Sequence, residues 1–473
     1  MSEILQRLKA IPYLPILIGL TVLRLITASV SGLVPDEAYY WLWAQHPSAG
    51  YYDHPPMVAW WITVSTAIFG HSPFSVRLPF VLSFLALSWL MFDAARALFS
   101  DTIARRTLLW LNACLLLSIG SVIATPDPPS VLMWGAGLWA LARLIASGQG
   151  YWWLVFGAFA GLGVEAKYTN LFLGVGVALW VAINRDARRW LLTPWPYLGG
   201  VAALIAMAPN LAWNATHDFA TLGKQFGRME AGQFTLSYLI EFLLSQPLLL
   251  NPLICAFAAI GAVAWWRDRS DARLALLIAL PLPLIVYMLT HVFHDRIQGN
   301  WPAPIFPGLV LLAAYAAETH WPRLRSWTAP FGIAITVIVL MVLSLSGVVK
   351  LPGAAGLSQG WEKVANAVRQ HHSGAAFIAT TDYNTQGELS FHLRDLSVIG
   401  MVERERYTWP TSDAAGQTAL IIVQARRSIN LDVCFEDVRE LAIISRLEKP
   451  NPKSDFRLYS GRLKAARCDL TEN

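Results

Sequence analysis

Asp36 and Glu37 stand side by side where the first long apolar run ends, and the loop that follows continues through Tyr51-Tyr52-Asp53-His54-Pro55-Pro56. Adjacent carboxylates followed by an acid–imidazole pair suit proton transfer at a membrane surface. The aromatic run 39–43 fits a membrane interface. An acidic N-cap on an interfacial helix would use one carboxylate, which leaves Asp53 and His54 without that explanation. Further along, Thr125-Pro126-Asp127-Pro128-Pro129 places a carboxylate in a proline-stiffened turn. In Val164-Glu165-Ala166-Lys167, the charges are either simple boundary residues or, for Lys167, a point counter-charge for phosphate. Arg296 is the single arginine of the segment 291–302, and a guanidinium matches phosphate oxygens. His291 and His294, three apart on a loop, are a thin basis for a metal site. Arg24 and Glu241 fall inside apolar runs, where a charge is costly and usually paired or functional; they pair with each other or Arg24 faces a lipid phosphate. The stretch 213–237 holds an Asn214-Ala215-Thr216 sequon, Lys224 and Arg228, none of which stands out.

The elements that must position these groups are membrane spans. The chain has 473 residues, 55% hydrophobic and 14% charged, where a soluble domain carries about 25% charged residues. That excludes a soluble enzyme, a disordered chain and a disulfide scaffold. Runs long enough to cross a bilayer are expected at 12–33, 76–98, 105–124, 128–146, 151–165, 169–184, 195–213, 238–265, 274–293, 302–318 and 327–349, eleven in all. The segment 57–70 is apolar but short, as in an interfacial or re-entrant helix. With the N-terminus inside, the inner side receives Arg7, Lys9, Arg96, Arg105, Arg106, Arg143, Arg185, Arg188, Arg189, Arg267, Arg269, Arg273, Arg323 and Arg325. The outer side of the membrane region receives Arg77, Lys167, Lys224, Arg228 and Arg296. This positive-inside bias sets the orientation, and the loops holding Asp36, Asp127, Lys167 and Arg296 then face outward.

Charge density jumps at residue 350: residues 1–349 hold 20 Lys/Arg and 16 Asp/Glu, and residues 350–473 hold 16 and 15. The expected division is a membrane domain, 1–349, and a soluble extracytoplasmic α/β domain, 350–473. In the latter, a helix over 359–371 capped by Ser358 and strands at 375–380, 418–424 and 456–460 are expected. The net charge of +5 is spread, without a basic tail, so nucleic acid is not an expected partner. Cys114 and Cys255 read as core residues, whereas Cys434 and Cys468 are able to pair if the tail lies outside the cytoplasm.

An outward-facing site has no access to cytoplasmic nucleotide sugars. A sugar on a polyprenyl phosphate, delivered through the membrane, fits. Its leaving group is already a phosphate, so the chemistry needs a base for the acceptor hydroxyl and cations for the departing phosphate. A divalent metal is optional, and no metal ligands are assigned.

At Asp36-Glu37, Tyr52-Asp53-His54-Pro55-Pro56, Ser75-Val76-Arg77-Leu78-Pro79, Thr125-Pro126-Asp127, Ala166-Lys167-Tyr168-Thr169 and Asn300-Trp301-Pro302-Ala303-Pro304, the sequence resembles the GT-C superfamily of membrane glycosyltransferases. The branch is that of the protein O-mannosyltransferases and the lipid A aminoarabinose transferase. The resemblance implies a polytopic α-helical GT-C fold of about eleven spans, with interfacial helices in the first outer loop and a small α/β extension. It implies an inverting transferase in the bacterial inner membrane that uses a polyprenyl-phosphate sugar donor. The implied acceptor is a glycolipid or cell-envelope glycan, such as lipid A or lipopolysaccharide core, with protein hydroxyls second. Asp36 becomes the acceptor base, supported by Glu37, with Asp127 as the second catalytic acid. Donor and phosphate binding falls to Asp53, His54, Lys167 and Arg296. His54 stands where the aminoarabinose transferases have a lysine, and a neutral imidazole binds an anion less well. The rival class, a transporter or flippase of lipid-linked sugars, predicts an inverted repeat, and the Asp-Glu loop does not recur in the second half. A scaffold using residues 350–473 as a binding module is the third reading.

Overall fold

A computed structural model describes residues 13–227, 234–347, 349, 356–409, 414–447, 454–465 and 468–470. Arg7, Lys9 and Arg228 of the topogenic pattern lie outside them. The chain forms two compact units, one of Met1–Ala28, His54–Val58 and Arg77–Val342, the other of Ser29–Asp53, Ala59–Val76 and Leu343–Asn473.

The first unit is helical. Among the described residues, five single helices are long and apolar enough to cross a membrane: Pro73–Leu98, Asp127–Ser147, Trp195–Thr216, Ala272–His291 and Pro322–Ser344. Two bent pairs raise that to seven if each is one span, and shorter apolar helices include Trp152–Ala166, Tyr168–Ile183 and Ala303–Ala316. Among the described residues, the expected runs are therefore not all single helices of spanning length. The run 105–124 is broken into Asp101–Asn112 and Leu115–Gly120, with Cys114 at the break. The run 238–265 bends by 99° between Ser237–Leu250 and Pro252–Arg267. The cause lies at the junction. Pro252 starts the second helix, and Asn251, at φ 97°, caps it by accepting from the Leu253 N–H at 3.0 Å.

Close helix packing sets the end of helix Trp152–Ala166, and with it Lys167. A Cβ on Gly157 would stand 1.9 Å from the Gly199 carbonyl oxygen, and one on Gly161 would stand 2.2 Å from that of Ala203. Small residues four apart let this helix and Trp195–Thr216 meet backbone to backbone, the usual way for helices to associate where lipid is as apolar as leucine.

Arg24 and Glu241 do not pair. Arg24 is buried and donates through Nη2 to Asn112 Oδ1 at 3.0 Å and to Ser118 Oγ at 2.9 Å. Its guanidinium also lies 4.5 Å from the Phe84 ring centroid. Glu241 instead binds Arg296.

The second unit carries a five-stranded sheet: β1 (Phe377–Thr380), β2 (Val398–Gly400), β3 (Thr418–Gln424), β4 (Phe435–Ser445) and β5 (Asp455–Leu463), in the order β2-β1-β3-β5-β4. The first three are parallel, and β5 is antiparallel to both β3 and β4. Phe377, Ala379, Ile421 and Val423 pack on one face with Phe435 and Leu463. Ile378, Leu420 and Ile422 pack on the other with Trp361, Val364 and Val368 of helix Trp361–His371. Burial on both faces explains the unbroken apolar runs of β1 and β3. That helix starts at Trp361 rather than at 359, and its N-cap is Gly360 at φ 81°, not Ser358. A Cβ there would meet the Arg446 carbonyl oxygen at 2.3 Å. Strands β2 and β4 are additions to the expected three.

Cys434 and Cys468 form a disulfide across 34 residues. Closing a loop of that length constrains the unfolded chain by about 4 kcal/mol.

The second unit also takes in Ser29–Asp53 and Ala59–Val76. Helices Pro35–Ala44 and Met57–Phe69 are joined by a network in which the Trp60 indole donates to the Ser48 carbonyl at 2.8 Å and the Thr63 hydroxyl to the Ala44 carbonyl at 3.1 Å.

Candidate active site

In the helical unit, three loops converge on Asp127. It is the first residue of helix Asp127–Ser147, entered through Pro126 and followed by Pro128 and Pro129. Prolines are tolerated in a first turn, where the N–H has no helical acceptor, and the helix N-terminus favours a carboxylate. Helix Trp152–Ala166 ends at Lys167, whose extended backbone (φ −163°, ψ 136°) turns the chain into the 3-10 turn Tyr168–Asn170. Lys167 Nζ thereby donates to Asp127 Oδ1 at 2.7 Å. One turn further on, Asn170 Nδ2 donates to Ser130 Oγ at 2.5 Å. Residues three apart share a helix face, so the two bonds form a double clamp between these segments. From the third loop, Asn300 Nδ2 donates to Asp127 Oδ2 at 2.6 Å. Both carboxylate oxygens are thus engaged, in a site where Asp127 and Lys167 are each 9% exposed.

Asp127 and Asn300 form one polar end of a cavity of about 290 Å³, otherwise lined mainly by apolar side chains including Phe84, Leu87, Leu116, Val131 and Leu249. A second cavity, about 250 Å³, is lined by Lys167, Tyr168, Thr169, Phe172, Gln225 and Tyr287 among others. The Asn210 backbone N–H, next to Pro209 inside helix Trp195–Thr216, donates to Glu165 Oε1 at 3.0 Å. The Tyr168 hydroxyl donates to Asn210 Oδ1 at 2.6 Å and accepts from Asn214 Nδ2 at 3.1 Å. Asn214 of the sequon is therefore buried and occupied.

Arg296 lies elsewhere in its loop's contacts. Its Nη2 and Nε donate to Glu241 Oε1 at 2.5 and 3.0 Å, with the arginine and glutamate side chains 65% and 48% exposed. His291 packs between the rings of Tyr287 and Trp301. Among the described residues, no group of three His, Cys, Asp or Glu side chains could hold a metal ion. His54 is half-buried.

In the second unit, the two neighbouring acids have separate surroundings. Glu37 is fully buried, and its Oε2 accepts from the Val34 N–H at 2.9 Å, closing the start of helix Pro35–Ala44. Asp36 keeps an open face to solvent, and the Tyr383 hydroxyl lies 3.4 Å from its Oδ1. Protein crowded around the Asp36 carboxylate pushes its pKa up. The Tyr383 hydrogen bond opposes that rise, while the charges of Glu37 and Asp53 reinforce it.

Asp53 is buried in an ion pair with Arg406 and accepts from the Tyr39 hydroxyl at 2.8 Å. Arg406 also donates through Nε to Glu403 at 2.6 Å, and its guanidinium lies over the Tyr383 ring at 4.9 Å. Burial would lower the arginine's pKa, but Glu403 and Asp53 outweigh burial and hold it above its ordinary value. Asp53 thus spends its charge on an arginine 353 residues away.

The sequence points to Asp36, Glu37, Asp53, His54, Asp127, Lys167 and Arg296; the structure brings Asp127 to Lys167, places Asp36 near Asp53, and sets Arg296 on Glu241. The sequence by itself assigns no contact to Asn300, Asn170, Ser130, Tyr383 or Arg406. The matched spacing of Asp127/Ser130 and Lys167/Asn170 was a usable signal for two of them. Arg406 sits in the run Glu403-Arg404-Glu405-Arg406, which looks like a solvated face.

Residues 53–213 match the family described as dolichyl-phosphate-mannose-protein mannosyltransferase. The chain is 26% identical over 398 residues to the lipid A galacturonosyltransferase of Rhizobium johnstonii, covering 81% of this chain and 82% of that protein. It is 27% identical over 376 residues to the undecaprenyl phosphate-alpha-4-amino-4-deoxy-L-arabinose arabinosyl transferase 1 of Pseudomonas fluorescens, covering 72% of this chain and 65% of that one. In fold it is similar to ArnT from Cupriavidus metallidurans bound to undecaprenyl phosphate, with a TM-score of 0.68 at 16% identity over 94% of this chain and 97% of that chain.

Proposed function

We propose that this chain is a membrane glycosyltransferase of the GT-C type that moves a sugar from a polyprenyl-phosphate donor to an extracytoplasmic glycolipid, lipid A or lipopolysaccharide core. The observation that carries this reading is the buried Asp127–Lys167–Asn300 cluster, whose acid and amide form a polar end of a largely apolar cavity. An apolar cavity of that kind suits an isoprenoid chain, and Lys167, which lines the second cavity, is the counter-charge for the phosphate. The names of the relatives, which specify lipid A and undecaprenyl phosphate, support the same acceptor and donor.

In this reading, an acceptor hydroxyl attacks the anomeric carbon from the side opposite the phosphate. The carbon–oxygen bond to the phosphate breaks, the configuration inverts, and polyprenyl phosphate leaves. Asp36 takes the hydroxyl proton. Its exposed carboxylate with a raised pKa suits a base, while the neighbouring Glu37 is committed to capping. Lys167 meets the phosphate charge that develops as the bond breaks. Asp127 holds the lysine and Asn300 in place. His54 is a further phosphate ligand in this reading, Arg296 joins it only by exchanging the Glu241 carboxylate for the phosphate, and Asp53 acts through Arg406 rather than on the donor.

We place the enzyme in the bacterial inner membrane with eleven crossings and the α/β region outside. The arginine bias of the alternate loops and the Cys434–Cys468 disulfide support this, since disulfides persist in oxidising compartments. A protein hydroxyl is the second candidate acceptor, favoured by the family matched over residues 53–213.

The test is a donor screen with the purified protein. Polyprenyl phosphates bearing mannose, glucose, galacturonate, galactosamine or aminoarabinose are offered with a lipid A extract or an acceptor peptide, and products are read by mass spectrometry. Transfer from one donor to lipid A, absent with Asp36→Asn, is the expected result. Transfer to the peptide alone would replace the acceptor, and donor uptake without transfer would replace the reaction.

A further inference from the structure

Helix Tyr383–His392 belongs by position to the charged C-terminal region and by contact to the first outer loop. Gly387 makes that contact possible. A Cβ there would stand 2.6 Å from the Tyr39 backbone nitrogen and 2.9 Å from the Ala38 carbonyl carbon, so the helix rests directly on the backbone of Pro35–Ala44. Trp41 and Phe391 extend the contact edge to face, 5.1 Å between centroids. The start of the helix is equally fixed. It follows β1 after a single intervening residue and its N-cap, and that cap, Asp382, accepts from the Thr385 N–H and hydroxyl, both at 2.8 Å. The first residue after the cap is Tyr383. Its ring packs 4.8 Å from that of Tyr39 and beneath the Arg406 guanidinium, and its hydroxyl reaches Asp36.

We propose that Tyr383, delivered by the C-terminal α/β region, is a positioning residue that orients the Asp36 carboxylate for removal of the acceptor proton. This rests on the reading of Asp36 as the base. A hydroxyl on Oδ1 leaves Oδ2 for the acceptor and fixes the plane of the carboxylate. The present 3.4 Å separation is long for such a bond, as is common before substrate binds. The charged and titratable groups around Asp36 in this unit are Glu37 on its own helix, Tyr383 on the packed helix, and Asp53, which Arg406 neutralises. The α/β region is then part of the catalytic apparatus, and its sheet serves to aim one hydroxyl.

The experiment compares Tyr383→Phe, Gly387→Val and Asp36→Asn in the full-length protein reconstituted in lipid. Tyr383→Phe keeps the ring under Arg406 and removes only the oxygen. The expected result is a fall in kcat of about tenfold or more with KM for the donor unchanged, since misplacing a reacting group is costly. The acid limb of the kcat profile should also move to higher pH, because a donor that favoured the charged carboxylate is gone. Gly387→Val, which keeps the hydroxyl but lifts the helix, should reproduce the loss. Wild-type kcat and an unmoved limb in Tyr383→Phe, with Asp36→Asn inactive, would overturn the positioning role alone. Turnover by Asp36→Asn would overturn the base and with it this proposal.

Discussion

Lys167 Nζ lies 2.7 Å from Asp127 Oδ1, and three residues further along each segment Asn170 is bonded to Ser130 at 2.5 Å. The ion pair is therefore held by a second, uncharged bond in the same register. It is also nearly buried, with side chains 11% and 12% exposed. Removing one partner leaves a charge without its counter-charge, at a cost of about 3–5 kcal/mol, whereas removing both costs less. Lys167→Met and Asp127→Leu should each lower the thermal midpoint in detergent more than the double variant does. Equal or additive losses would mean that the pair contributes little coupling.

Asp36 and Glu37 should respond differently to loss of charge. Asp36→Asn is expected to reduce turnover by about 10²–10⁴-fold while the melting curve stays in place, as removal of a general base does. Glu37→Gln is expected to reduce stability by about 1 kcal/mol, the worth of a cap, and to leave most of the activity. A rate assay and a melt on each variant separate the roles.

The pH profile follows from Asp36. Its pKa is raised by the surrounding protein and by the neighbouring acids, so the base becomes protonated on acidification earlier than an ordinary carboxylate would. Activity should be retained on the alkaline side and lost as pH falls, with a midpoint above the usual carboxylate range. A limb at the ordinary carboxylate value would assign the base to another group.

Gly157 and Gly161 permit the backbone contact that sets where Lys167 emerges. Gly157→Leu should prevent that approach, because its first side-chain carbon would overlap the Gly199 carbonyl. The expected outcome is a large fall in the yield of folded protein by size-exclusion chromatography. Gly174→Ala, where a Cβ meets nothing within 4 Å, serves as the neutral control.

The disulfide makes a redox prediction. Cys434→Ser with Cys468→Ser should lower the stability of the second unit by about 4 kcal/mol, and a reducing agent should have the same effect on the parent but none on the variant. Thermal melts with and without reductant measure it.

How much of this was legible differs from residue to residue. Asp127 and Lys167 stood out singly, because charges are scarce in an apolar chain, but their partnership needed the short helices to bring separate loops together. Asn300 stands in the motif Asn300-Trp301-Pro302 with no partner evident along the chain, since an amide acquires a role only from the acid it faces. Strand β4 has no apolar strand pattern because its exposed positions carry Glu436, Asp437, Arg439 and Glu440, the charged composition of an edge strand. The helix over 105–124 looked continuous because hydropathy does not register a backbone break.

By itself, the amino-acid sequence determined that the chain spans a membrane, that its arginines favour one side, that a more charged region begins near residue 350, and which loops hold acids and cations. Those properties follow from local composition, because the bilayer penalises every charge and every unpaired backbone group wherever they occur. Only the tertiary structure decided that Glu37 is a cap and Asp36 is open, that Asp53 belongs to Arg406, that Arg296 belongs to Glu241, and that helix Tyr383–His392 lies on helix Pro35–Ala44. Each of these depends on which distant side chain comes within about 3 Å. Hydrogen bonds and ion pairs are short-ranged, so no spacing along the chain encodes them until packing has chosen the neighbours.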